Sequence, residues 1–173
     1  VDTVLGPEMK STGEVMGLDR DFRRAYLKAQ IAAGSALPTT GKVFISVPGL
    51  ERRPAVALAW WLHDLGFVVV ARGATARALE RDGLAVESVA DGPEGDRALL
   101  EALADRKITL VVDVPGDGRG RGRSAPIRRA ALDHGIPYYT TLDGVRAALA
   151  AIEARLTGPL EVVTLQELHR RAA

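Results

Sequence analysis

From Gly41 onward, apolar and polar positions alternate in blocks. Apolar runs at 43–47, 67–71, 85–89, 108–114 and 137–140 are separated by longer amphipathic stretches at 53–65, 75–83, 95–106 and 124–134, with a further one at 142–156. Short β-branched runs alternating with helical patterns predict strand–helix units and a parallel sheet. FVVVA (67–71) and ITLVVDV (108–114) are nearly continuously apolar. Strands covered by helices on both faces read this way, so both are expected inside the sheet. Gly66, Gly83 and Gly135 follow three of the predicted helices, where a chain leaving a helix often turns left-handed. The expected fold is α/β, a Rossmann-like three-layer sandwich around a five-stranded parallel sheet.

Upstream the pattern differs. Residues 1–17 hold four glycines and prolines and no sustained period, and read as irregular. A helical stripe of Phe22, Tyr26, Ala29, Ile31 and Ala33 follows, with Asp19 as the expected N-cap and Gly34 as the stop. GSALPTTG (34–41) has the composition of a turn or linker. The domain boundary is placed there, with 1–40 as one region and 41–173 as the α/β domain. Past the last long helix, VVT (162–164) suggests an edge strand and LQELHRRAA (165–173) a final helical turn or two.

Composition narrows the function classes. At 173 residues, 47% hydrophobic and 26% charged, the chain can bury one core. Its 23 basic and 22 acidic residues leave a formal charge of +1, which argues against a nucleic-acid-binding face. The absence of cysteine excludes disulfides and thiol chemistry and fits a cytoplasmic protein. No apolar run approaches the ~20 residues of a membrane span. His63, His134 and His169 lack metal-ligand spacing, so no metal site is expected. His63 reads as a helix-surface residue and His134 as a helix-terminal one. Trp60 and Trp61 point about 100° apart on one helix, so one of them must face away from the sheet.

In open α/β sheets, ligands collect at the carboxyl ends of the strands, where helix N-termini offer free N–H groups to anions. The candidate rim is therefore Ser46–Gly49, Arg72–Thr75, Ala90–Gly95, Asp113–Arg123 and Tyr139–Leu142. Gly73 would let backbone approach an anion, and Thr75 serves either as a helix N-cap or as a donor to phosphate. GDGRGRGR (116–123) is either an anion clamp or a solvated loop. No aromatic side chain interleaves its arginines, so it lacks the stacking half of an RNA platform. There is no G-x-S-x-G elbow, Walker A loop or G-x-G-x-x-G fingerprint. The rim suits anions and shows no evident reactive group.

GPEMKSTGEVMG (6–17), KAQIAAG (28–34), FISV (44–47), SAPIRRAALDHGIPYYTTL (124–142) and VVTLQELH (162–169) resemble, in order, the C-terminal part of carbamoyl phosphate synthetase large subunits. The resemblance covers essentially the whole chain. It implies that residues 1–40 end the preceding synthetase region. It implies that residues 41–173 form a regulatory domain with a fold resembling methylglyoxal synthase, which binds nucleotides such as UMP or IMP. It further implies ornithine at the junction with the synthetase core, a glutaminase small subunit as partner, and ATP and magnesium used by the parent enzyme. No cofactor is implied for this stretch itself. By the same resemblance, Ser46 and Thr75 match hydroxyls that hold the nucleotide, Arg52 stands where a lysine does, and Tyr138, Thr140 and Thr141 match the ornithine-contacting stretch.

Departures from the family pattern alter this pocket. Arg72 replaces a threonine, Ser88 a lysine, Asp113-Val114-Pro115 an Asn-Thr-Thr run, and Tyr139 an aspartate. A carboxylate near a bound phosphate costs about 1–2 kcal/mol, roughly tenfold in affinity. Arg72 is expected to compensate, or to pair with Asp113. Pro115 also removes a backbone donor. Two other readings stand beside regulation. Gly95-Asp96 resembles part of the Gly-Gly-Asp of methylglyoxal synthase, a lyase acting on dihydroxyacetone phosphate, although no histidine lies between Asp113 and Ile127. A purely structural module would instead form oligomers through surfaces such as Trp60 or Trp61.

Overall fold

The computed structural model describes residues 15–116 and 121–170. Its elements, in chain order, are α1 (Phe22–Ala32), β1 (Lys42–Ser46), α2 (Arg52–Asp64), β2 (Val68–Arg72), α3 (Gly73–Arg81), β3 (Val86–Val89), α4 (Pro93–Ala104), β4 (Ile108–Asp113), α5 (Arg121–Asp133), β5 (Tyr138–Tyr139), α6 (Leu142–Thr157) and α7 (Leu165–Arg170). A 3₁₀ turn, Gly49–Glu51, leads into α2. All five strands pair in parallel, in the order β3, β2, β1, β4, β5.

Strand alternation sorts the core into two faces. Val43 and Ile45 of β1, Val69 and Ala71 of β2, and Leu110 and Val112 of β4 pack with Leu58, Leu62, Leu79 and Leu149 from α2, α3 and α6. Phe44, Val70 and Val111 face the other way, against Leu99 and Leu103 of α4 and Ile127 of α5. The result is the expected three-layer sandwich, with FVVVA and ITLVVDV both inside the sheet. Gly66, Gly83 and Gly135 carry φ of +88°, +85° and +65° just past α2, α3 and α5, as helix exits. No helix among the described residues is long and apolar enough to cross a membrane.

Several expectations need correction. Asp21, not Asp19, caps α1, its side chain accepting from the Arg23 N–H at 2.9 Å. The Asp19 carboxylate is taken instead by Lys28 (2.7 Å) and by the Asp21 N–H. Residues 162–164 form no strand; both sheet edges, β3 and β5, lack them as partners. Part of the Gly/Arg run is helix, since α5 begins at Arg121, while 117–120 lie outside the described residues. Trp61 packs against the core, whereas Trp60 turns outward, edge-on to His63 with ring centres 5.4 Å apart.

Helix α1 packs on α6, and its Leu27, together with Leu37 beyond it, is fully buried in the core shared with α2 and α6. Leu27→Ala should therefore destabilise the whole domain by about 2–5 kcal/mol. Urea unfolding followed by far-UV circular dichroism checks this: one transition shifted to lower urea is expected, not an early loss of α1 alone.

Candidate functional site

Strand order reverses direction at β1, because β2 and β3 build outward on one side and β4 and β5 on the other. Beyond the carboxyl ends of β1 and β4 lies the crevice that such a switch creates. Ser46 and Asp113 stand opposite each other there, in register, and the Val114 N–H donates to the Ser46 carbonyl at 2.9 Å. The Nε atoms of Arg52, at the start of α2, and of Arg128, on α5, are buried without an acceptor among the described residues.

Thr75 does not cap α3; Arg72 holds the N-cap position, in extended backbone. Buried Thr75 uses its hydroxyl as a staple, accepting from the Val47 N–H and donating to the Val47 carbonyl, both at 3.2 Å. Helix α3 is thereby tied to the loop after β1. Gly73 has φ +54°, and a Cβ there would sit 2.9 Å from both oxygens of Asp91. This glycine is required by its backbone and by the acid beside it.

Arg72 does not pair with Asp113. Its guanidinium, 11% exposed, forms an ion pair with Asp96 in the first turn of α4 and stacks 5.7 Å over the Phe44 ring. The reason is placement: Arg72 lies between Phe44 of the neighbouring strand and the N-terminus of α4, where a carboxylate is also favoured by the helix dipole. Gly95 permits the first turn of α4 to lie close on the end of β3, since a Cβ there would fall 1.7 Å from the Ala90 carbonyl oxygen.

Asp113, 4% exposed, accepts a 2.7 Å hydrogen bond from the Tyr138 hydroxyl. Arg128 stacks over that tyrosine at 5.9 Å. On a two-residue strand, adjacent side chains point to opposite faces, and Tyr139 accordingly turns toward α1, its hydroxyl 3.5 Å from that of Tyr26. Burial, then the Asp113 carboxylate, pushes the Tyr138 hydroxyl well above the ordinary 10.0, with Arg128 pulling the other way. Tyr139 is raised too, by burial and then by Tyr26. Thr141 caps α6, accepting from the Gly144 N–H at 3.2 Å, and Thr140 lies in the bend before it. Ser88 sits exposed on edge strand β3, bonded to Glu80 at 2.9 Å.

The rim thus gathers three acids, Asp91, Asp96 and Asp113, beside Arg72, Arg52 and Arg128. Residues 55–140 match the family described as MGS-like domain. Over 174 residues, 99% of this chain, the sequence is 44% identical to the "Carbamoyl phosphate synthase large chain, C-terminal section" of Methanocaldococcus jannaschii, covering 28% of that protein. It is 43% identical over 166 residues, 96% of this chain, to the carbamoyl phosphate synthase large chain of Nostoc, covering 15% of it.

Residues 55–140 belong to the MGS-like domain family.

Among solved structures, methylglyoxal synthase from Elizabethkingia anophelis superposes with a TM-score of 0.52 at 20% identity, covering 65% of this chain and 79% of that one. That likeness supports the fold alone. The chain spans about 28% and 15% of the lengths of the two large-chain relatives.

Asp91, Arg128, Phe44 and Tyr26 were not singled out as site residues by sequence. Asp91 lay inside a candidate loop, but only the geometry at Gly73 gives it a role. Phe44 and Tyr26 act across long sequence separations, and Arg128 reaches a tyrosine in the next element, contacts that no local pattern marks.

The two tyrosines make a pH prediction. Each is held protonated above its unfolded value, so its contribution to stability is complete below pH 10 and is lost as pH rises past it, when the unfolded chain releases these protons first. Urea midpoints should fall from pH 10 upward, and Tyr138→Phe with Tyr139→Phe should flatten that fall. At neutral pH, Tyr138→Phe should cost about 1–3 kcal/mol by stripping a donor from buried Asp113.

Proposed function

We propose that this chain is the C-terminal regulatory and assembly part of a glutamine-hydrolysing carbamoyl phosphate synthetase large chain. The observation that carries this reading is identity of 42–44% along nearly the whole chain to such large chains and to a C-terminal section of one. On this reading residues 1–40 close the preceding synthetase region and 41–173 form the effector domain. The rest of the large chain and a glutaminase subunit are its partners, and the parent enzyme uses ATP and magnesium to form carbamoyl phosphate. The domain supplies coupling free energy to that reaction and takes no chemical step itself.

The effector site on this reading is the crevice beyond β1 and β4, with Ser46, Arg52, Arg72 and Thr75 facing a phosphate-bearing ligand. Two of these four residues are already engaged within the protein. Asp96 occupies Arg72, and Thr75 is engaged with Val47. A phosphate must displace Asp96 to reach the guanidinium, so affinity is set by competition between an internal and an external anion. The ornithine-like stretch is altered in the same sense, because Tyr139 is directed to Tyr26 and Thr141 to its own helix.

Calorimetric titration of the chain with UMP, IMP and inorganic phosphate tests this. Asp96→Asn should tighten phosphate binding about tenfold, equivalent to about 1.4 kcal/mol. Arg72→Ala should abolish it in both backgrounds. No heat from any of these ligands, even with Asp96→Asn, would remove the nucleotide version and leave an assembly role. Methylglyoxal formation from dihydroxyacetone phosphate, lost in Asp96→Asn, would instead support a lyase, the reading favoured by Asp96 standing on the rim.

A further inference from the structure

Several of the apolar side chains left at the surface gather in one place. Met16, Leu18, Ile31, Leu160, Val162 and Leu165 line a groove of about 530 Å³ between the segment entering α1, α1 itself and the tail running into α7. Met16 is 77% exposed and Val162 98% exposed. Scattered exposed leucines and valines are ordinary on any protein, but a continuous apolar groove marks a surface that something covers. Val162 lies in a stretch without helix or strand.

The charged lining is Lys28 and Glu161. Lys28 is already committed, with Nζ 2.7 Å from Asp19 and 3.1 Å from the Leu18 carbonyl. Its charge is thus matched within the chain, and apart from the Glu161 carboxylate the groove presents carbon to whatever sits in it. The occupant must offer an apolar face and not an acidic one. A charged ligand, small or large, has little to gain here.

We propose that this groove seats an apolar face of the remaining part of the large chain, so that α1 and the tail before α7 form the joint between that part and the domain. This inference rests on the reading of the chain as a section of a synthetase large chain. Relatives that align along nearly all of this chain are several times its length, since it covers 28% and 15% of them. The chain therefore has kin in which a large further mass of protein must meet this domain. Helix α1 suits a joint, because Leu27 fixes it in the domain core while Ile31, one turn further along the same face, lines the groove. Helix α1 also touches α6 and, through Tyr26, the Tyr139 end of β5.

Met16 gives the test a natural probe, because thioether oxidation by peroxide follows exposure. Oxidation is read by peptide mass in the 173-residue chain and in a full-length large chain containing it, alongside carbamoyl phosphate synthesis by the same full-length preparation. Met16 should oxidise at least about tenfold more slowly in the full-length chain. Ile31→Asp with Val162→Asp should restore the fast rate there. Equal rates in a full-length chain that makes carbamoyl phosphate overturn the joint while leaving the family reading intact. A full-length chain that makes none overturns the reading on which the joint rests. Protection that grows with concentration of the 173-residue chain assigns the groove to a second copy, and protection lost on deleting residues 1–14 assigns it to the chain's own N-terminal segment. Either result overturns the proposal.

Discussion

Strand β1 is paired on both sides and buried on both faces, and the arrangement of the rim follows from it. Val43 and Ile45 hold one helical layer and Phe44 the other, while β2 and β4 flank it in parallel. Because the helices after β1 and β4, α2 and α5, cover opposite faces of the sheet, the loops that lead into them diverge. Ser46 and Asp113 stand side by side where those loops part. The Phe44 ring also carries the Arg72 guanidinium, so the same strand that organises the core positions the principal cation of the rim.

Part of that rim is engaged internally, while the Arg52 and Arg128 Nε atoms meet no acceptor among the described residues. Each cationic or donor group with a described partner is met by a group of the protein: Arg72 by Asp96, the Tyr138 hydroxyl by Asp113, Thr75 by the Val47 backbone. A half-buried ion pair next to an aromatic ring gains from low dielectric only while both charges stay paired. An anion arriving at Arg72 thus takes the place of the Asp96 carboxylate, which leaves its net gain small. Such a near-balance suits a regulatory site, where modest differential affinity is enough to move a conformational equilibrium.

Much of this architecture is legible in the sequence, and the exceptions have physical causes. The buried strands announce themselves through β-branched runs, and the helix exits through Gly66, Gly83 and Gly135, because both signals are local. Asp19 and Asp21 are chemically alike, and only the reach of Lys28 back to Asp19 decides which of them caps α1. VVT has strand composition but no sheet edge beside it. Arg72 and Asp96 are 24 residues apart and Tyr26 and Tyr139 are 113 apart, so neither contact leaves a periodic trace. The resemblance of Ser46 and Thr75 to nucleotide-holding hydroxyls could be read from the chain. That Thr75 is engaged with Val47 could not, since the partner is backbone.

The central claim is that the rim controls a reaction carried out elsewhere in a longer enzyme. It is tested most directly by steady-state carbamoyl phosphate synthesis in the full-length large chain with its glutaminase partner, comparing wild type with Arg72→Ala at saturating ATP, bicarbonate and glutamine. The account predicts an unchanged kcat without effector and loss of the response to whichever nucleotide the wild type obeys. A collapse of kcat in the absence of any effector, with the fold intact by circular dichroism, would contradict it.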